Sequence, residues 1–285
     1  MYRPVLKQFQ SLFLLLFFST AVSLALADDR VEALKFMQAG KDEQGFVLMK
    51  KAAENGDAKA QELLGAMYET GRGTRADFSN AAKWYLRAAE QGRPMAQYNI
   101  GISYEEGQGV SRNPEEAIRW IKKAADAGDA DAQLRLGIYY FKGYGSIKKN
   151  QKESFRWFWK SAKQGNPQAA FNVGSAYEHG YGVPIMGKEA EKWYRLASEK
   201  GSLPATHNLG LMYLTGKIVP KNTSLALQLI RSAADKGFAP SQTSLAYEYE
   251  QGRYVERDVE KARGLYQKAA AQGNKNAKER LNAIN

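Results

Sequence analysis

Residues 96–110 read Ala-Gln-Tyr-Asn-Ile-Gly-Ile-Ser-Tyr-Glu-Glu-Gly-Gln-Gly-Val, and variants of this stretch recur along the 285-residue chain. Its residues Ala96, Ile100 and Tyr104 are spaced i, i+4 and i+8, which is one stripe of a 3.6-residue helix. Glycine at the end of the stretch suits the left-handed conformation that often follows a helix. The stretch therefore predicts an amphipathic helix that ends in a glycine loop.

The same pattern repeats with a period near 36 residues. A glycine closes each copy, at Gly56, Gly92, Gly128, Gly165, Gly201, Gly237 and Gly273. A mid-repeat glycine, a tyrosine three residues later and a tryptophan follow in register, although alanine replaces the glycine in the sixth repeat and leucine the tryptophan in the last two. A fixed period of this length is typical of stacked repeat architectures. The closing glycines define repeats 1 to 6 as residues 57–92, 93–128, 129–165, 166–201, 202–237 and 238–273.

Each repeat is predicted to contain two helices. After the glycine loop, Asn113-Pro114 suits a first helical turn, and Ala117, Trp120 and Ala124 form the apolar face of a second helix. One helical hairpin cannot bury both faces, but stacked hairpins bury a continuous core. The predicted fold is all-α, an α/α superhelical solenoid over residues 28–285. It would consist of a partial unit at about 29–56, six units at about 57–273 and a C-terminal cap at about 274–285.

Glycine inside the first helix needs a physical reason. Mid-helix glycine costs about 1 kcal/mol relative to alanine. It nevertheless stands at five equivalent places, Gly65, Gly101, Gly137, Gly174 and Gly210. We expect that it permits close approach between helices.

The N-terminus has the layout of a secretory signal peptide. Arg3 and Lys7 precede the apolar run 12–18, and Ala25-Leu26-Ala27 is a small-residue cleavage site. An uncleaved membrane anchor is the alternative, but polar residues interrupt the run before it reaches the roughly 20 apolar residues that a span needs. We therefore predict cleavage after Ala27, no transmembrane span in the mature chain, and a periplasmic or secreted location.

Composition excludes several classes of site. The chain has no cysteine, so disulfides, thiolate nucleophiles and Cys-based zinc sites are impossible. Two histidines, His179 and His207, leave little for a metal cluster. We predict no metal and no cofactor.

The pattern of 96–110, followed by Ala117-x-x-Trp120-x-x-x-Ala124-Ala125-x-x-Gly128, resembles the Sel-1-like repeat, a tetratricopeptide-like α/α repeat. The resemblance covers essentially all of residues 29–285. It implies a right-handed superhelix that acts as an adaptor or scaffold for protein–protein interactions, with envelope or host-facing roles in secreted bacterial members. Some secreted members are disulfide-stapled and linked to penicillin binding, and this chain has no cysteine to match them.

A partner-binding face is predicted on the first helices, on the side opposite the core stripe, which would be the concave side of the solenoid. It comprises the residues two, six and nine positions after the first-helix alanine, which is Ala96 in repeat 2, and its equivalents. These three sets of equivalent residues are hereafter called the second, sixth and ninth columns. Apolar residues in such a face often mark interaction sites. The alternative is packing against the neighbouring repeat. The residues predicted to anchor a peptide or protein are Tyr98, Ile102, Leu134, Ile138, Phe141, Phe171, His207 and Leu211.

The second helices carry much of the excess positive charge. The chain has a formal net charge of +11. A basic convex face could bind anionic envelope polymers such as peptidoglycan or lipopolysaccharide, or simply be solvated. Nucleic acid is disfavoured by the export signal. The basic residues are Lys83, Arg87, Arg119, Lys122, Lys123, Arg156, Lys160, Lys192, Arg195, Arg231, Lys261 and Lys268.

Catalysis is the third and least favoured function, as a cell-wall or lactam-active enzyme. Glutamate recurs in the ninth column at Glu69, Glu105, Glu178 and Glu250. A carboxylate near a helix C-terminus opposes the dipole, and we expect loop amides or an arginine to stabilise it. Equivalent carboxylates on adjacent helices would lie about 8–10 Å apart, which suits at best an inverting glycosidase. We predict a non-catalytic scaffold.

Overall fold

A computed structural model describes residues 29–284 of the chain, and the proposed signal peptide at 1–27 lies outside the described residues. The described residues form fifteen helices and one isolated bridge, between Tyr144 and Ile147. The helices are α1 (29–38), α2 (Asp42–Glu54), α3 (Ala58–Thr70), α4 (Phe78–Glu90), α5 (Pro94–Glu106), α6 (Pro114–Asp126), α7 (Ala130–Lys142), α8 (Gln151–Lys163), α9 (Pro167–His179), α10 (Gly187–Glu199), α11 (Leu203–Thr215), α12 (Thr223–Asp235), α13 (Ala239–Gln251), α14 (Val259–Ala271) and α15 (Lys275–Ala283). The predicted all-α fold of helical hairpins is confirmed.

Two compact units divide the chain, and the division falls inside α7. The N-terminal block ends at Gln133 and the C-terminal block begins at Leu134. Within each block the first and second helix of a repeat pack together, and the second helix packs on the first helix of the next repeat. No helix within residues 29–284 is both long and apolar enough to cross a bilayer.

Local signals set the helix ends as the sequence predicts. The Asn113 side chain accepts hydrogen bonds from the backbone N–H groups of Glu115 and Glu116, and Pro114 occupies the first turn. Gly107 ends α5 in the left-handed region, with φ +76°. Most repeats use such local signals, although α5, α10 and α13 start without a side-chain cap.

Close helix approach explains the mid-helix glycines. A Cβ on Gly65 would lie 2.6 Å from the ring of Tyr85 in the second helix, and a Cβ on Gly137 would lie 2.5 Å from the ring of Phe158. The same contact, at 2.8, 2.7 and 2.8 Å, recurs at Gly101, Gly174 and Gly210. The large side chain of the second helix thus packs directly on the first-helix backbone, as predicted.

The second glycine of the loop brings neighbouring repeats together. A Cβ on Gly109 would lie 1.9 Å from the carbonyl oxygen of Phe78, the first residue of the preceding second helix. Gly73 and Gly182 face the first residues of α2 and α8 in the same way, at 2.3 Å. Only a residue without a side chain fits this contact.

At the junction between repeats 4 and 5, the glycine of this contact belongs to the helix instead of the loop. The fifth repeat has Ile218 where earlier repeats have the second glycine, and the facing first residue of α10 is Gly187. A Cβ on Gly187 would lie 1.8 Å from the carbonyl oxygen of Ile218. The close contact is therefore kept, with the glycine on the helix and the larger residue on the loop.

Buried glutamines tie each first helix to the helix before it. Gln61 Nε2 donates to the Ala53 carbonyl at 3.0 Å, and Gln97 Nε2 donates to the Ala89 carbonyl at 3.2 Å. Gln133 and Gln242 repeat this bond. Each glutamine adds a second hydrogen bond to a carbonyl at the end of the preceding helix, which also accepts from the N–H of the closing glycine.

The two ends of the described chain depart from the repeat. Residues 29–38 and α2 form a hairpin with a short connection, and Ala33 and Met49 are buried in its core. Helix α15 has nine residues, and Ala277 buries its side chain completely against the last repeat. The short α15 lies where the sequence predicts a cap.

Candidate binding site

The structure separates the three columns of the predicted face. In the second column Leu134 and His207 are buried, each with 8% exposure. Tyr98 and Phe171 in that column are partly buried, as are Ile102, Ile138, Phe141 and Leu211 from the other two columns. For Leu134 and His207 the structure supports the alternative of packing inside the repeat stack.

The second column is buried because it faces the start of the next repeat. Arg93, just before α5, donates from Nε and Nη2 to the carboxylate of Glu62 at 3.1 and 3.0 Å. His207 makes the equivalent contact in the C-terminal block, with its ring edge-on to Phe238 at 5.6 Å between centroids. This column therefore joins successive repeats, which is the packing alternative for these positions.

His207 is a structural residue. Its Nδ1 lies 2.9 Å from Ser241 Oγ, and Ser241 occupies the first-helix position that is alanine in the other full repeats. Burial lowers the pKa of His207 to about 4, so the ring is neutral at pH 7. His179 is the last residue of α9, and its Nδ1 lies 3.0 Å from the Ser175 carbonyl oxygen.

The ninth-column glutamates pair with tyrosines of the second helix. Tyr85, Tyr194 and Tyr266 donate their hydroxyls to Glu69, Glu178 and Glu250 at 2.5, 2.6 and 2.8 Å. Burial, together with the accepting carboxylate, raises the pKa of all three tyrosines, that of Tyr266 to about 12. We expected loop amides or an arginine as partners. Only Glu250 among these three also pairs with an arginine, Arg280 at 3.0 Å.

Repeats 3 and 5 replace this polar pair by an apolar one. Phe141 and Phe158 stand in repeat 3 where repeat 4 has Glu178 and Tyr194, and repeat 5 has leucine and isoleucine. In repeats 3 and 5 both members are replaced, so no tyrosine hydroxyl or carboxylate of the pair loses its partner, which would cost about 1–3 kcal/mol. Repeat 2 is mixed, with Glu105 and Ile121 at these positions. The sixth and ninth columns both stay at least partly exposed in every repeat, but tyrosines engage the ninth-column glutamates of repeats 1, 4 and 6. The sixth column consists of Ala66, Ile102, Ile138, Ser175, Leu211 and Tyr247.

A pocket of about 250 Å³ lies in the C-terminal block where this apolar pair occurs. Phe141, Phe155 and Phe158 supply aromatic surface, and Tyr181 packs edge-on to Phe141 at 5.5 Å between ring centroids. The structure thus brings Ile138 and Phe141 of the predicted anchors together and leaves Phe171 outside, against Tyr194. The lining is Ile138, Phe141, Lys142, Gln151, Ser154, Phe155, Phe158, Gln168, Asn172, Ser175, Ala176 and Tyr181.

The polar groups of the pocket are amides, hydroxyls and the ammonium group of Lys142. Ser154 Oγ donates to the Gly137 carbonyl at 2.8 Å, so this hydroxyl is committed to the backbone. The lining contains no carboxylate and no histidine. Within residues 29–284 no three potential metal ligands come together.

The repeat register agrees with a known family. A family model described as the Sel1 repeat matches residues 39–57, 58–92, 94–129, 130–166, 167–202, 203–238 and 239–274. The chain belongs to the Sel1 repeat family. The matches cover both blocks, and the pocket lies where the fourth and fifth matched Sel1 repeats meet.

Two solved Sel1-type structures resemble the chain over most of its length. The crystal structure of c5321, a protective antigen present in uropathogenic Escherichia coli strains that displays an SLR fold, is 32% identical with a TM-score of 0.81. It covers 91% of this chain, and the chain spans only 56% of that protein. The Sel1 repeat protein from Oxalobacter formigenes is 32% identical with a TM-score of 0.77, covering 85% of this chain and 96% of its own. No curated protein matches the sequence.

Sequence reasoning missed three of the four aromatic residues that line the pocket. Phe155 and Phe158 come from the second helix of their Sel1 repeat, and Tyr181 comes from the next loop. A comparison of equivalent positions between repeats could have identified Phe158. Phenylalanine occupies two linked columns in repeat 3 that hold glutamate and tyrosine in repeats 1, 4 and 6.

Many of the second-helix cations have partners within their own Sel1 repeat. Arg119 and Arg156 pair with glutamates one turn earlier, at 2.5 and 2.7 Å. Lys123 and Lys160 lie over the rings of Trp120 and Trp157, at 4.4 and 3.9 Å from the centroids. Part of the basic surface is thus engaged in pairing and in covering the tryptophans.

Proposed function

We propose that the chain is an exported, non-catalytic scaffold of the bacterial cell envelope that binds a peptide or protein segment through the sixth column of its first helices. The apolar pocket beside Ile138 and Phe141 is the observation that carries this proposal. Concave, mostly apolar sites with a few polar groups are typical of binding surfaces. Sel1 repeats, as a class of stacked hairpins, offer such a surface without a reaction centre.

Two observations support export. Residues 1–27 have the charge, apolar run and cleavage site of a signal peptide. The c5321 relative is described as a protective antigen, and a protective antigen has to be accessible to antibodies or immune cells. Export would place the mature chain in the periplasm or outside the cell.

Site-specific photo-crosslinking in cells tests the proposed face. A photoreactive residue at Ile102, Ser175 or Leu211 should capture a protein partner, because these sixth-column positions are partly exposed in both blocks. The matched controls are Lys83 and Lys192, exposed positions on second helices, and these should capture none. Capture only from the second helices, or from no position in the envelope fraction, would refute the proposed face.

The envelope-polymer alternative predicts a different result. Binding to isolated peptidoglycan or lipopolysaccharide through the second-helix cations should fall steeply as salt rises, because exposed charges are screened. We expect little such binding, since Arg119, Arg156, Arg195 and Lys261 already have acidic partners. Strong, salt-sensitive polymer binding that is lost on neutralising Lys83, Lys122 and Lys268 would favour the alternative instead.

A further inference from the structure

The pocket at repeats 3 and 4 has the size of a site for one side chain. Pockets for drug-sized ligands measure about 300–1,000 Å³, whereas this pocket measures about 250 Å³. Phe141, Phe155 and Phe158 give it an aromatic lining that suits a flat ring, since aromatic pairs prefer stacked or edge-on contacts. A single buried aromatic anchor in such a pocket is a common source of binding energy at protein interfaces.

The protein surface around the pocket is positively charged. Lys142 lines it, and Gln151 is shared with an adjoining hollow that is lined by Lys149 and Lys152. Within the described residues these three lysines have no ion pair, whereas the acidic residues nearby are occupied: Glu153 pairs with Arg156, and Glu178 accepts from Tyr194. Unpaired lysines beside an apolar pocket favour a ligand with carboxylates flanking its anchor.

Three departures of repeat 3 from the other repeats meet at this place. Phe141 and Phe158 replace the polar pair. The one extra residue of the chain's 37-residue repeat falls in the segment that includes Lys148, Lys149 and Lys152. In that segment the ring of Tyr144 stacks on Tyr139 with 4.3 Å between centroids, which orders the loop beside the pocket.

From this convergence we propose that the pocket binds one bulky aromatic side chain from an acidic segment of a partner protein. The aromatic ring lies against Phe141 and Phe158, and the flanking carboxylates pair with Lys142, Lys149 and Lys152. The inference rests on the proposed function and specifies the chemistry of its ligand.

The chain itself supplies a variant that removes the pocket and keeps the fold. The double substitution F141E/F158Y gives repeat 3 the glutamate–tyrosine pair that repeats 1, 4 and 6 already use. The matched control is L214E/I230Y, which makes the same chemical change in repeat 5, away from the pocket. A second, independent variant is K142Q/K149Q/K152Q, which leaves the apolar lining intact.

The test is peptide binding to the full mature chain, measured by fluorescence anisotropy. The probe is a blocked heptapeptide with one tryptophan flanked on each side by three acidic residues. One comparison peptide has alanine in place of tryptophan, and another has lysine in place of the acidic residues. We expect the probe to bind at least about tenfold more tightly than either comparison peptide, as for loss of one hot-spot anchor.

The variants locate the binding. F141E/F158Y should weaken binding at least about tenfold while L214E/I230Y stays within about twofold, and the lysine variant should remove most of the salt dependence. Circular dichroism and thermal unfolding confirm that each variant is folded. Equal binding of the alanine peptide or of the lysine peptide, no binding of the probe, or undiminished binding by folded F141E/F158Y would each overturn the inference. Crosslinking from the sixth column that survives in F141E/F158Y would then show that the scaffold function stands without this ligand.

Discussion

Substituting alanine for Gly109 is expected to destabilise the N-terminal block by about 2–5 kcal/mol. Gly109 has φ +72°, and a left-handed conformation costs about 1–2 kcal/mol for a residue with a Cβ. The added Cβ would also lie 1.9 Å from the Phe78 carbonyl oxygen, and inserting an atom into a packed contact costs about 1–3 kcal/mol. Urea unfolding followed by circular dichroism measures the loss.

The control for this prediction is G92A in the same block. Gly92 has φ +85°, so it carries the same backbone cost, but nothing lies within 4 Å of the added Cβ. We expect a loss of only about 1–2 kcal/mol. If G109A and G92A destabilise the protein equally, the close contact between repeats contributes nothing and our account of the loop glycine is wrong.

Acid should destabilise the C-terminal block through His207. The folded pKa of about 4 lies below the ordinary value of 6.5, so the folded chain binds fewer protons than the unfolded chain between these two pH values. The free energy of unfolding therefore falls as pH falls from about 6.5 towards 4. At 1.36 kcal/mol per pH unit, the loss from this residue is about 2–3 kcal/mol by pH 4.5.

The double variant H207L/S241A isolates this effect. It gives repeat 5 the leucine that repeat 3 has in this column, and it gives repeat 6 the alanine of the other full repeats, so no hydroxyl loses its partner. Urea midpoints at pH 7.0 and pH 4.5 should shift less for the variant than for the natural chain. Because all carboxylates are common to both proteins, an equal shift would contradict the assignment to His207.

The register of the repeats was predictable, and the reason for the mid-helix glycines was too. Because glycine recurs at equivalent positions of several repeats, Gly65 and its equivalents could be assigned to close helix packing from the sequence alone. The accessible side of the first helix was harder to predict. A helical wheel separates one buried stripe from the rest, but each first helix has several neighbours. Leu134 and His207 therefore read as surface residues and are buried against the next repeat.

The ninth column shows the same difficulty for polar residues. Glu69 and Glu178 read as exposed carboxylates that need a partner, and the distance to the tyrosine sixteen residues later could not be read from the sequence. Comparing repeats 3 and 4 would have linked Glu178 with Tyr194 and Phe141 with Phe158, because both members differ between these repeats, although repeat 2 has Glu105 with Ile121. It would not have found Tyr181, because the position of this residue depends on the course of the loop after α9, which the sequence pattern does not define.

The contact between Gly187 and Ile218 limits how this chain can be re-engineered. Elsewhere a loop ending in Gly-x-Gly accepts a preceding helix that starts with a full side chain, as at Gly109 and Phe78. Repeat 5, with Ile218, is matched to Gly187 at the start of the helix before it, whereas repeat 6 has Tyr254 in this loop position and follows a helix that starts with Thr223. Repeats 4 and 5 are therefore best transplanted or deleted as a matched set.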